Sequence, residues 1–222
     1  MQVANASLVR LVPNLPGWVP APQQAAVVSG VLLSVIGGTI AIGFRIRWAA
    51  VALVTLLLAG FAFRLPELAA NSGALANPAK ILALAGGALL AGFPGNKSAG
   101  IAAALFALFF LICGWAHFQY SGFVDGLVPG WIPPGRRFWT YFSAVALLAG
   151  GAGTVLPPTR RLAGLLSGLM IFLWVLLLHI PRSIELKSAF ELAGVFEALA
   201  LGGVAWLVAA SHAPVRPEST KD

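Results

Sequence analysis

The sequence predicts an all-α protein whose helices cross a membrane, and three observations lead to this prediction. Of the 222 residues, 59% are hydrophobic and only 9% are charged, whereas soluble domains carry about 25% charged residues. The mean hydropathy is +0.90. Apolar runs also recur at lengths near the ~20 residues that a helix needs to cross the hydrocarbon core. Because so few charges cannot cover a globular surface, lipid is the expected solvent for most of the chain.

Seven apolar runs are long enough to be considered as membrane helices, although the second and third are short. Proline, glycine and charged residues separate several of them, which is typical of helix ends at a membrane surface. Glycine pairs inside the runs, such as Gly37-Gly38 and Gly150-Gly151, allow the backbones of neighbouring helices to approach closely. We therefore expect a polytopic bundle whose seven helices lie in the runs 25–44, 48–63, 78–93, 98–118, 138–156, 162–180 and 188–210.

The net charge of +7 is explained by basic residues at helix ends, so nucleic acid is not an expected partner. Basic residues divide evenly between the two sides of the predicted bundle, seven on each, and the count alone does not orient it. We give most weight to the short hairpins, because residues beside short loops decide orientation most strongly. This predicts an inner cell membrane protein with the N-terminus outside and the C-terminus cytoplasmic, since three hairpins without acidic residues then lie inside; their basic residues are Arg45, Arg47, Lys97, Arg160 and Arg161.

The sequence contains one motif twice. The Pro-Gly-Trp-x-Pro segment at 16–20 recurs at 129–133, which is 113 residues later, and both glycine pairs and Arg47 with Arg160 keep this spacing. Four predicted helices separate the two copies, so both copies lie on the same side and the repeats are parallel. We therefore expect two related units in parallel orientation.

The two predicted units differ in length. Residues 1–95 form a first unit of three helices, residues 96–211 a second unit of four, and residues 212–222 a polar cytoplasmic tail. The stretch before the first Pro-Gly-Trp motif is too short to span a membrane and lacks the features of a signal peptide. We expect either that a leading helix was lost from the first unit or that translation starts upstream of Met1, and that the membrane helices themselves direct insertion.

A set of motifs in the second unit resembles the DoxX family of small membrane proteins. They are the Gly-Trp-Ala-His-Phe segment at 114–118, the Val-Pro-Gly-Trp-Ile-Pro segment at 128–133, the glycine pair at 150–151 and the Arg-Arg pair at 160–161. The resemblance covers residues 98–210 and extends more weakly to residues 14–93 through the repeat. It implies a four-helix membrane unit.

The resemblance also implies a function. The family founder is a subunit of a thiosulfate:quinone oxidoreductase, and other members are linked to membrane thiol and oxidative-stress systems. Members often carry an acidic residue four positions before the glycine of the glycine-rich helix, where this chain has Leu33 and Ala146. The resemblance therefore implies an accessory subunit of a quinone- or thiol-linked redox system, with quinone as the candidate cofactor, but without that acidic residue.

Polar residues of the second unit gather on its predicted outer side. Histidine can exchange protons near neutral pH and arginine can pair with an anion, so these residues could form a pocket for a quinone or an anionic substrate. The alternative is interfacial anchoring, since the same residue types favour headgroup depth. Two histidines are weak evidence for haem, and no ligand set for a metal is evident. The candidate residues are His117, Gln119, Tyr120, Trp131, His179, Arg182 and Glu185.

Glu197 is the second candidate site. It lies about nine residues into the last predicted helix, or ~14 Å deep at ~1.5 Å per residue, and we expect no lysine or arginine at that depth. A carboxyl group there marks a functional candidate, here a proton site. The alternative is a protonated carboxyl that hydrogen-bonds to its neighbours. Glu191, one turn into the same helix, is expected to reach the headgroups.

Three functions remain open from the sequence. The first is the redox accessory subunit, with a partner subunit, membrane lipids and a second copy of the chain as candidate partners. The second is a non-enzymatic scaffold or lipid-interacting protein, and the third is a small-solute transporter, which repeats and Glu197 would suit. The single cysteine, Cys113, excludes an intrachain disulfide. No catalytic motif is present, so we do not expect an enzyme that acts alone.

Overall fold

Helices make up nearly all of the chain that is described. The computed structural model describes residues 22–70 and 75–211. No strand occurs in these two stretches, which confirms the predicted all-α fold. The helices are α1 (Pro22–Ala41), α2 (Ile46–Ala70), α3 (Ala76–Gly92), α4 (Asn96–Gln119), α5 (Ser121–Leu127), α6 (Arg136–Val155), α7 (Arg160–Trp174), a π-helical turn (Val175–His179), α8 (Ile180–Leu186) and α9 (Ala189–Ala210).

Five helical stretches in the described residues are long and apolar enough to cross a membrane. Many large apolar side chains point outward from them, as expected where the surroundings are lipid rather than water; Trp48, Val145 and Leu162 are 73%, 58% and 61% exposed. The chain is therefore a multi-pass membrane protein. The five stretches are Ile46–Phe63, Asn96–Gln119, Arg136–Val155, Arg160–Leu186 and Phe190–Ala210.

Each of the seven predicted runs is helical over most of its length, but α1 ends at Ala41, three residues before the end of the first run, and two helical stretches extend beyond the predicted ends. α2 continues past residue 63 to Ala70, and the run predicted to end at 180 continues as far as Leu186. The second extension has a clear cause. Pro181 lies in the first turn of α8, where its missing N–H costs little. The turn before it widens, and the N–H of Ile180 bonds to Val175 O.

α4 occupies the centre of the bundle. It packs against α3 on one side and α6 on the other, while α9 packs against both α3 and α7. Phe106 and Phe110 of α4 are almost fully buried, with ring centroids 4.2 Å apart. Alanines of α4 and residues of α9 surround them in the main hydrophobic core. The core is therefore built mainly where the second half of the chain meets α3.

Glycine permits the closest contact between α7 and α9. A methyl group added at Gly164 would lie 2.8 Å from Ala205 O, and one added at Gly168 would lie 2.1 Å from Trp206 Nε1. The two glycines are four residues apart and so share one helix face, the spacing that brings membrane helices together. This spacing is visible in the sequence, but close helix contacts were predicted at the adjacent glycine pairs instead.

The helix boundaries follow the spacing of the predicted repeat. α6 begins 114 residues after α1, and both helices have 20 residues. α7 begins 114 residues after α2, and α9 begins 113 residues after α3. The two-unit organisation stays a prediction, because residues 1–21, which hold its first Pro-Gly-Trp motif, and the polar tail lie outside the described residues.

Candidate functional site

Two histidines from different helices line one pocket. His117 lies in the last turn of α4 and His179 ends the π-helical turn, and both border a space of about 280 Å³. We call this space the histidine pocket. Aromatic and apolar side chains form most of the remaining wall, among them Phe110, Trp139 and Trp174. A small apolar pocket with a few polar groups is the usual form of a small-molecule site.

The backbone of α4 fixes the orientation of the His117 ring. Its Nδ1 lies 2.7 Å from Cys113 O, one helical turn earlier. A carbonyl oxygen only accepts hydrogen bonds, so Nδ1 must carry the proton of this bond. In the neutral ring, Nε2 then has a free electron pair and can accept a proton or a hydrogen bond from a ligand.

The π-helical turn places His179. A single wide turn inside an α-helix shifts the side chains that follow it, and such turns are frequent at functional sites. Here the turn lies between α7 and α8, immediately before Ile180 and Pro181. Val175, at its beginning, is 2% exposed and packs with Val195 and Ala198 of α9. This buried contact holds the turn against the bundle, with His179 at the pocket.

The connection between α4 and α6 covers one side of the histidine pocket. Val124, Leu127 and Val128 of this connection line it. Asp125 accepts a hydrogen bond of 2.6 Å from Thr140 Oγ1 and forms an ion pair of 3.0 Å with Arg137, both on α6. These bonds tie α5 to the first turns of α6. No helix was predicted between the runs 98–118 and 138–156, and the structure adds α5 there, before the Pro-Gly-Trp motif.

Trp139 is fixed by the same connection. Its Nε1 donates a hydrogen bond of 2.9 Å to Pro133 O, beside the cis peptide bond between Pro133 and Pro134. Its ring meets Trp174 edge to face, with centroids 6.1 Å apart. The two indoles therefore form a held aromatic wall between α6 and α7.

The other predicted pocket residues lie elsewhere. The side chains of Gln119, Tyr120, Trp131 and Glu185 are exposed and do not line the histidine pocket. Arg182 is half-buried and donates a hydrogen bond of 3.1 Å to Glu191 Oε1. The structure thus brings together two of the seven residues, His117 and His179, and gives Arg182 an acidic partner.

A buried ion pair joins α3 to α9. Lys80 Nζ lies 2.5 Å from Glu197 Oε2, and the two side chains are 10% and 8% exposed. The expectation that no cation lies near Glu197 is therefore wrong. Lys80 lies in the second turn of α3. Its long side chain reaches α9 because the two helices pack side by side.

Sequence reasoning also missed part of the pocket wall. Trp139, Ser143 and Trp174 line it but were not singled out. The sequence could have indicated them only by position, because all three lie on helices that reach the side of the bundle where the two histidines lie. Among the described residues, no three histidine, cysteine, aspartate or glutamate side chains are grouped so that they could hold a metal ion.

One comparison with known proteins gives a match. A family model described as a domain of unknown function, DUF8561, matches residues 105–189. These residues run from the second half of α4 to the end of α8 and the start of α9, so they include both histidines and the whole of α6 and α7. No curated protein and no solved structure matches the chain.

Proposed function

We propose that this protein is the membrane-embedded accessory subunit of a redox system and that it binds a quinone ring in the histidine pocket. The observation that carries the proposal is that His117 and His179, 62 residues apart in the sequence, line the same apolar pocket. A quinone has an apolar ring with two oxygens on opposite sides. A pocket with aromatic walls and two histidines offers matching surfaces for both features.

The two histidines suit the proton chemistry of a quinone. A quinone that gains two electrons and two protons becomes a quinol, and imidazole can exchange protons near neutral pH. Nε2 of His117 can accept a hydrogen bond from a quinol hydroxyl, because Nδ1 already donates to Cys113 O. In this proposal the protein binds the ring and handles its protons, while a partner subunit supplies or receives the electrons.

A relationship to the DoxX family is part of the proposal. His117 belongs to the Gly-Trp-Ala-His-Phe segment that carries the resemblance, and the residues that cover the pocket immediately precede the Pro-Gly-Trp motif. The resemblance supports a redox partner subunit, with membrane lipids and a second copy of the chain as further partners. We do not propose that the chain is an enzyme by itself.

The proposal includes a location. We place the protein in the inner cell membrane with the C-terminus in the cytoplasm, because the short hairpins after α1, α3 and α6 carry basic residues and no acidic ones. The histidine pocket then lies near the outer surface, where the connection between α4 and α6 covers it.

The two other functions have less support. The transporter hypothesis rested on the predicted repeats and on Glu197, and the pairing of Lys80 with Glu197 gives that carboxylate a role in holding two helices together. A scaffold or lipid-interacting protein would need no ring-binding pocket. It would therefore bind quinone no better than an unrelated membrane protein does.

Quinone binding by the purified protein in lipid nanodiscs tests the proposal. We expect His117→Ala to lower the affinity for the quinone at least tenfold, because the variant removes a hydrogen-bonding group from the pocket. The matched control is Phe123→Ala, since Phe123 is 71% exposed and does not line the pocket. Equal binding by the His117→Ala variant and the wild type would overturn the proposal.

Extraction from the native membrane supplies a second measurement. Native mass spectrometry of the gently solubilised protein should show a bound quinone or a co-purified redox subunit. Phospholipid alone, without a partner, would favour the scaffold hypothesis.

A further inference from the structure

A long apolar groove runs along the outside of α6 and α7. It has a volume of about 710 Å³. Small residues of α6 form its floor and leucines of α7 form its side; they include Ala146, Ala149, Gly153, Leu162, Leu166 and Leu173. Several of these leucines are about half exposed, as Leu166 is at 56%, so the groove opens toward the lipid. We call it the α6–α7 groove.

The α6–α7 groove offers hydrocarbon surface and few free polar groups. The hydroxyl of Thr159 at one end donates to Gly153 O at 2.9 Å, and the indole N–H of Trp139 at the other end donates to Pro133 O at 2.9 Å. A charged or hydrogen-bonding group would therefore find little compensation for leaving water or the headgroups. The chemistry of the groove fits a hydrocarbon chain.

The groove adjoins the histidine pocket. Trp139, Met170 and Trp174 line both spaces. From Trp139 to Leu156, α6 rises about 25 Å at ~1.5 Å per residue, close to the ~30 Å thickness of the hydrocarbon core. A molecule with its ring in the pocket can thus lay a long chain along the groove and keep it at membrane depth throughout.

We infer that the α6–α7 groove binds the isoprenoid chain of the quinone whose ring lies in the histidine pocket. This inference rests on the proposed function and narrows its ligand to long-chain, lipid-soluble quinones. The side chains that pocket and groove share favour this occupant over an ordinary lipid acyl chain. A phospholipid with an acyl chain in the groove would leave the histidine pocket unfilled, whereas a long-chain quinone would occupy both spaces.

Variants that fill the groove test the inference. Ala149 lines the groove and is exposed, so Ala149→Phe adds a ring there without entering the core. Val145→Phe is the matched control, because Val145 lies on α6, is 58% exposed and does not line the groove. Binding is measured in nanodiscs for two quinones with the same ring, one without a chain and one with a long isoprenoid chain. The concentration of each quinone is expressed as its mole fraction in the nanodisc lipid. The two quinones are then compared at equal concentrations in the membrane, whatever their partitioning from water.

The expected result distinguishes binding of the quinone chain from binding of the quinone ring. Ala149→Phe should weaken binding of the long-chain quinone at least tenfold and leave the chainless quinone unchanged, while Val145→Phe should change neither. If the wild type and the Ala149→Phe variant bind both quinones equally well, the groove inference is wrong and the proposed function stands. If neither quinone binds the wild type, both are wrong. If the wild type binds the long-chain quinone no more tightly than the chainless one at equal mole fraction, the surrounding phospholipid fills the groove equally well and the inference is also wrong.

Discussion

Lys80 and Glu197 stabilise the bundle only as a pair. Each of the two charges is nearly buried, and transfer of a single charge into an apolar interior costs several kcal/mol. The distance of 2.5 Å between Lys80 Nζ and Glu197 Oε2 allows a charge-assisted hydrogen bond, which offsets part of that cost. Loss of one partner leaves the other charge without this compensation. The pair should therefore show strong coupling in mutants.

We predict that Lys80→Met destabilises the protein by about 3–5 kcal/mol, the typical cost of breaking a buried ion pair. The double variant with Glu197→Leu should recover much of this loss, because it leaves no buried charge. Unfolding in mixed detergent micelles measures both, and a double-mutant cycle gives the coupling. Additive effects of the two substitutions would show that the charges act independently.

At the scale of helices, two glycines that the predicted repeat aligns have different surroundings. A methyl group added at Gly151 of α6 would lie 3.1 Å from Ala107 O and 3.1 Å from Leu111 Cγ, both on α4. Gly38 occupies the corresponding position of α1, and a methyl group there meets nothing within 4 Å among the described residues. The contrast follows from packing, because α4 covers this face of α6, whereas nothing among the described residues covers Gly38 of α1.

This contrast gives a prediction with an internal control. Gly151→Leu should destabilise the bundle by about 1–3 kcal/mol, since the larger side chain would press against the backbone of α4. Gly38→Leu should be tolerated, because the added side chain extends into open space. Thermal unfolding of the two purified variants compares them directly. A large loss of stability with Gly38→Leu would mean that this face of α1 is covered in the membrane after all.

For the molecule as a whole, the sequence predicted helices better than it predicted contacts. Apolar runs of about membrane thickness fix where helices form, so each of the seven runs is helical over most of its length. The grouping of His117 with His179 followed from their positions at helix ends on one side. The roles of Trp139 and Ser143 depend on how α6 is rotated about its axis, which a nearly uniform apolar composition does not specify. The reach of Lys80 to Glu197 depends on α3 lying beside α9, and no local pattern shows which distant helices are neighbours.

The orientation of the whole bundle is a final prediction, and the single cysteine makes it simple to test. Replacing Cys113 by alanine gives a background without cysteines, into which one cysteine at a time can be introduced. Lys97→Cys and Arg161→Cys lie at exposed hairpin ends, whereas Phe123→Cys and Trp131→Cys lie at the exposed connection that covers the histidine pocket. Because the basic hairpins should face the cytoplasm, a thiol reagent that cannot cross the membrane should label the second pair in intact cells. It should label the first pair only after the membrane is opened. The reverse pattern would place the histidine pocket on the cytoplasmic side, and a redox partner would then have to be sought there.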